Sequence, residues 1–197
     1  MLLGGIRQFN WLDIVVLILI LRIGYIALKN GLPVELFKFF GTIFSVYLSM
    51  HYYVLWAVYL QERIPLKNIS LGFLRLFSFV ALSALGYFIF LLLRKVFYRL
   101  ITVEPVEKLN KWGGFILSML RGILLLSLIL FILVISNISY LNKSARNSYL
   151  GRRIFKVAPF VYSGLWNNLV SKFRTAEEFN KAILEVQPLG SAVKPNP

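Results

Sequence analysis

Cysteine is missing from all 197 residues, which excludes disulfides, thiolate nucleophiles, iron–sulfur clusters and cysteine-based zinc sites. Histidine occurs once, as His51, so no trio of histidine ligands can form within one chain. Asp13 is the sole aspartate, no serine is followed by a base at usable spacing, and glycine-rich phosphate loops are absent. Charge is scarce, at 15% of residues against about a quarter in soluble domains. Negative charge is scarcer still: 8 acidic residues face 22 basic ones, leaving a net charge of +14. What remains is apolar, with 58% hydrophobic residues and a mean hydropathy of +0.73. In a soluble protein the basic excess would suggest nucleic acid. Here it is expected beside membrane spans, where Lys and Arg set topology and meet anionic lipid headgroups. A water-soluble enzyme is the wrong class, and no catalytic, cofactor or metal site is expected.

A membrane helix needs about 20 mostly apolar residues. Four stretches qualify: residues 11–28 with Asp13 and Arg22, 36–58 with Lys38 and His51, 71–93 with Arg75, and 113–138 with Arg121. No small-residue cleavage site follows the first stretch, so it is read as a retained helix and not as a signal peptide. Short connections imply antiparallel neighbours, hence an all-α integral membrane protein built as a four-helix bundle over residues 11–140. Residues 1–10 form an N-terminal flank, 141–187 a basic amphipathic helical tail, and 188–197 a disordered end. Within the tail, Pro159 to Phe173 is expected to lie on the membrane surface through Val161, Leu165, Leu169 and Phe173, with docking of this face onto the four-helix bundle as the alternative. Thr175-Ala176-Glu177-Glu178 reads as a capping box opening a helix that runs to about Val186. The positive-inside rule places Lys29, Arg94, Lys95 and Lys111 in the cytoplasm and both termini outside.

Gly114, Ser118 and Gly122, and likewise Gly41, Ser45 and Ser49, recur every four residues as small-residue stripes that admit a neighbouring backbone. Packing of the second helix against the fourth is the simplest use of both stripes, and a dimer interface is the alternative. Arg22 and Arg121 lie within spans, where a charge costs a few kcal/mol unless it faces protein or water. They could line an ion or substrate path, form a buried pair that fixes the fold, or snorkel toward Lys29 and Lys111 respectively. Asp13 and Glu35 begin the first two helices, so a direct pair between them is not expected. Each is expected to meet its own helix N-terminus. His51, among Tyr47, Tyr52, Tyr53, Trp56 and Tyr59, reads as part of an interfacial aromatic belt, since its span offers no nearby carboxylate.

Four segments together resemble one known family. They are Asn10-Trp11-Leu12-Asp13-Ile14; Lys29-Asn30-Gly31-Leu32-Pro33-Val34-Glu35; Gly114-Phe115-Ile116-Leu117-Ser118-Met119-Leu120-Arg121-Gly122; and Ser148-Tyr149-Leu150-Gly151 followed by Pro159. This pattern is similar to that of the colicin V production protein (CvpA) family, small bacterial inner-membrane proteins with about four spans. Ser118 departs from the family's usual second glycine, and Asn110 stands where an acidic residue is common. The chain past Phe173 lies outside the shared pattern. The resemblance implies a multi-pass inner-membrane protein, non-enzymatic, serving as accessory or scaffold in toxin production or secretion and envelope homeostasis. The alternative is a subunit of a small oligomeric channel or transporter. Expected partners are anionic membrane lipids and other membrane proteins or further copies of the chain, with no nucleic acid.

Overall fold

The computed structural model describes residues 10–27, 31–63, 69–100, 107–136, 138–174 and 177–186. Four long helices come first: α1 (Trp11–Ala27), α2 (Leu32–Arg63), α3 (Leu71–Leu100) and α4 (Glu107–Ile135). Short helices follow: α5 (Ser139–Asn147), α6 (Tyr149–Phe155), α7 (Val157–Leu165), a π-helical turn (Trp166–Val170), α8 (Ser171–Phe173) and α9 (Ala182–Val186). Among the described residues there is no strand. By length and composition, three helices can cross a membrane: α2, α3 and residues Asn110–Ile135 of α4. The described part of α1 has 17 residues and runs antiparallel to α4. A Cβ on Gly24 would meet Met119, and one on Gly122 would meet Ile23.

Local chemistry explains where the helices begin. Ser70 caps α3, its Oγ accepting the Phe73 N–H at 3.3 Å. Gly31 precedes α2 where a Cβ would lie 2.5 Å from Asn110 Oδ1, and that same oxygen accepts the Leu32 N–H at 2.5 Å. Asparagine in place of the acidic residue common in the resembled family therefore still supplies an acceptor at the head of α2. α3 runs past the end of its expected span and α4 starts before its own. The basic residues Arg94, Lys95 and Arg99 extend α3 to Leu100, and α4 already begins at Glu107.

One aromatic stack joins three helices and is flanked by a fourth. The rings of Phe79 (α3) and Phe131 (α4) stack at 4.9 Å, and Phe131 stacks on Phe155 (α6) at 5.7 Å. Tyr53 of α2 sets its edge against both Phe79 and Phe131. Burial is its main stabilisation, and each ring pair contributes about 0.5–1.5 kcal/mol beyond area.

Phe155 in this stack shows that the helical C-terminal segment packs against the bundle. Gly151, Phe155, Ala158 and Tyr162 are buried, and their spacing of four, three and four puts them on one helical face turned into the bundle. Pro159 to Phe173 accordingly docks through Pro159, Tyr162 and Trp166, while Leu169 and Phe173 of the expected membrane stripe stay exposed. The chain breaks between α6 and α7, and Ser127 of α4 covers the break. Its hydroxyl donates to the Phe155 carbonyl and accepts the Ala158 N–H, both at 2.9 Å. Irregular backbone is tolerated at such depth only where protein satisfies it. Among residues 177–186 the helix is confined to Ala182–Val186, so Glu178 does not stand in the first turn of a helix as a capping box requires. Thr175, Ala176 and the stretches 1–9 and 187–197 lie outside the described residues.

The two small-residue stripes meet different partners than expected. Gly41 faces Phe90 and Tyr87 of α3, and Gly86 of α3 sits where a Cβ would come 2.9 Å from the Ser45 Cα. Gly122 instead faces Ile23 of α1. A four-residue period specifies close approach without specifying the neighbour: α2 does pack against α4, but the closest approaches at Gly41 and Ser45 come from α3 and that at Gly122 from α1. Gly86→Ala should therefore destabilise the protein by about 1–3 kcal/mol through forced separation of α2 and α3, measured by unfolding in detergent. Gly164→Ala, where nothing lies within 4 Å, should cost little.

Candidate functional site

Asp13 is fully buried in the first turn of α1. One carboxylate oxygen accepts the Asn10 N–H at 2.8 Å, which closes its own helix start as expected. The carboxylate also reaches across to the start of α6, which was not expected. It accepts the Ser148 hydroxyl at 2.5 Å, the Leu150 N–H at 2.8 Å and the Tyr149 N–H at 3.3 Å. Ser148 in turn caps α6, its Oγ accepting the Gly151 N–H at 2.8 Å. A Cβ on Gly151 would stand 2.6 Å from that oxygen. Around this core Trp11 donates its indole N–H to Ser144 Oγ at 3.2 Å and stacks on Tyr140, and Asn10 Nδ2 donates to the Ser144 carbonyl. The first and fourth sequence motifs are thus one site.

The second and third motifs form another. Glu35, also fully buried, lies 3.1 Å from Arg121 Nε and 2.8 Å from Lys38 Nζ. Arg121 Nη2 points at Ser118 Oγ at 3.4 Å. Arg121 therefore neither snorkels toward Lys111 nor lines an open path; it is held by Glu35, whose carboxylate needs a cation once buried. Glu35, in the first turn of α2, thus bridges that helix to α4. Asp13 and Glu35 do not meet, as expected. Arg22 joins neither cluster and lies on the exposed face of α1, and Gly114 is buried in α4.

Sequence reasoning missed a third cluster. His51 is buried, not part of an open belt. Its Nδ1 lies 2.9 Å from the Tyr162 hydroxyl, and its Nε2 lies 3.3 Å from Glu177 Oε2. Tyr162 accepts the Asn180 N–H, so its own proton goes to His51 Nδ1. A neutral imidazole then carries its proton on Nε2 and donates toward Glu177. Burial pushes the Tyr162 hydroxyl up to about 12, which keeps that proton in place. Tyr52 donates to Glu177 Oε1 at 3.1 Å, and Arg174 pairs with the same oxygen. Asn180 Nδ2 closes the segment by donating to the Met50 carbonyl at 2.6 Å. A cavity of about 510 Å³ opens beside this cluster, between the Tyr52–Leu55 stretch of α2 and residues 177–182. The missing carboxylate comes from a different part of the chain. The available signal was the polar pair Arg174 and Glu177 beside Phe179 in an otherwise basic tail.

Removing one partner of a buried ion pair costs about 3–5 kcal/mol, because the other charge is left buried and unpaired. Arg121→Leu should therefore lower the membrane abundance of the protein sharply, and adding Glu35→Leu should restore part of it, as read by immunoblot of membranes. Acid should act on the third cluster. Burial raises the Glu177 carboxyl, but the hydrogen bonds from Arg174 and Tyr52 and the nearby positive charge outweigh it and hold the group below its ordinary 4.5. Its contribution is thus complete above 4.5 and fades as pH falls through the lowered value. Hydrogen exchange should report residues 177–186 loosening under that acidification, and Glu177→Gln should abolish the pH dependence.

The profile of the colicin V production protein family matches residues 12–159. That range takes in Asp13, Glu35, Arg121 and the Ser148–Gly151 turn, but leaves Tyr162, Arg174 and Glu177 outside it. Comparison with curated proteins and with solved structures finds no significant match. A match over most of the chain, with both buried carboxylate sites inside it, places this all-α membrane protein in the colicin V production protein family.

Proposed function

We propose that the chain is a non-enzymatic accessory or scaffold protein of the bacterial inner membrane, supporting toxin production or secretion and envelope homeostasis. One observation carries this reading: Asp13 and Glu35, the carboxylates of the motif regions, are both fully buried and bound to partners within the chain. Groups spent on holding helix ends together are poor candidates for handling a substrate. Anionic lipids and other membrane proteins, or further copies of the chain, are its partners in this reading, and it uses no cofactor and no nucleic acid. In this reading the chain crosses the membrane several times, which the length and composition of α2, α3 and α4 support, with α1 lying along α4.

A second reading, as subunit of a small oligomeric channel or transporter, draws on the broken α6–α7 segment held by Ser127, because discontinuous helices recur at transport sites. Proteoliposomes separate the two. The scaffold reading expects no ion flux above that of empty vesicles under any imposed gradient, whereas cross-linking in native membranes gives defined adducts. Reproducible flux through the intact protein above that of empty vesicles would overturn it in favour of the transporter.

A further inference from the structure

On the side of Tyr52 away from the larger cavity, a groove of about 380 Å³ separates α2 from the π-turn and α8. Phe44, Leu48 and Tyr52 stand four residues apart and form one wall, about 12 Å long at 1.5 Å per residue. Leu169, Val170 and Phe173 form the other. Its two ends differ. Phe44, against Phe90 of α3, closes the apolar end within the membrane-crossing helix. Arg174 and the Tyr52 hydroxyl stand at the other end, where α2 carries the exposed Trp56 and Tyr59 that mark a headgroup level. Phe173 is 83% exposed and Leu169 52%, so the groove opens outward from the bundle.

Arg174 is exposed and engages Glu177 through Nη1. Its Nε and Nη2 donors have no partner among the described residues. A guanidinium presents several donors in a planar fork that fits phosphate oxygens. Lys172 adds a second positive charge on α8, the short helix that ends just before Arg174. An apolar slot inside the membrane that ends in a cation at headgroup level matches one ligand chemistry.

We propose that this groove binds a single anionic phospholipid, with an acyl chain along Phe44, Leu48, Leu169 and Phe173 and its phosphate at Arg174. The site would hold the C-terminal segment to the bilayer at the point where it crosses α2. It gives the lipid partners of the scaffold reading one defined seat, and its failure would leave that reading intact.

Native mass spectrometry of the full-length protein in detergent tests it, with phosphatidylglycerol, phosphatidylcholine and a free fatty acid titrated separately. The wild type should retain one phosphatidylglycerol several-fold more tightly than either other lipid. Arg174→Gln should remove that preference, and Arg174→Lys should keep most of it. Leu169→Glu, at an exposed position that leaves the fold alone, should weaken retention of every lipid. Arg99→Gln, on the last turn of α3, should change nothing. Equal retention of phosphatidylglycerol and phosphatidylcholine by the wild type overturns the proposal. So does tighter binding of the fatty acid, or the same loss in Arg99→Gln as in Arg174→Gln.

Discussion

The carboxylate of Asp13 accepts four hydrogen bonds from two separate stretches of chain, and the docking of the C-terminal segment onto the bundle depends on it. Asn10 donates from the head of α1; Ser148, Tyr149 and Leu150 donate from the head of α6. Helix N-termini leave backbone donors without partners and carry partial positive charge. One buried anion answers both ends at once, where two separate caps would leave α1 and α6 free to part. Hydrogen bonds to a charged group contribute about 1.5–3 kcal/mol each, so the arrangement rivals a sizeable patch of apolar burial. It also explains the residues around it: a serine to cap α6, a glycine three residues on because a Cβ would strike that serine, and a tryptophan that reaches Ser144.

With α6 fixed, the rest of the C-terminal segment falls into place. Phe155 joins the stack on Phe131, the chain turns against Ser127, and α7 delivers Tyr162 to His51. Midway along α4, Arg121 meets Glu35 and ties α2 to it, again through buried charge. Helices in lipid gain little from apolar contact with one another, because lipid tails are as apolar as leucine. The bundle is accordingly specified by a few polar clamps and by close approaches at Gly86, Gly41 and Gly122.

The sequence carried the helices legibly because a period of 3.6 and long apolar runs survive any arrangement of neighbours. It also carried the four motif segments, which the fold brings together in two pairs. It did not carry the pairing itself. Arg121 sits eighty-six positions from Glu35, and nothing local distinguishes a snorkelling arginine from a paired one. Arg152, Arg153 and Lys156 made the segment after Ile138 look like a surface tail, because averaging hides a buried face of Gly151, Phe155, Ala158 and Tyr162 beneath exposed basic residues. His51 was read as interfacial for the same reason: its carboxylate comes from Glu177, beyond the family pattern.

A double-mutant cycle on Asp13 and Ser148 bears most directly on this account. Unfolding of the purified protein in detergent would be followed for the wild type, Asp13→Asn, Ser148→Ala and the double variant. If one carboxylate joins α1 to α6, each single change destabilises, and Ser148→Ala costs far less once Asp13 is gone, with a coupling of about 0.5–3 kcal/mol. Strictly additive losses, or an Asp13→Asn variant as stable as the wild type, would contradict it.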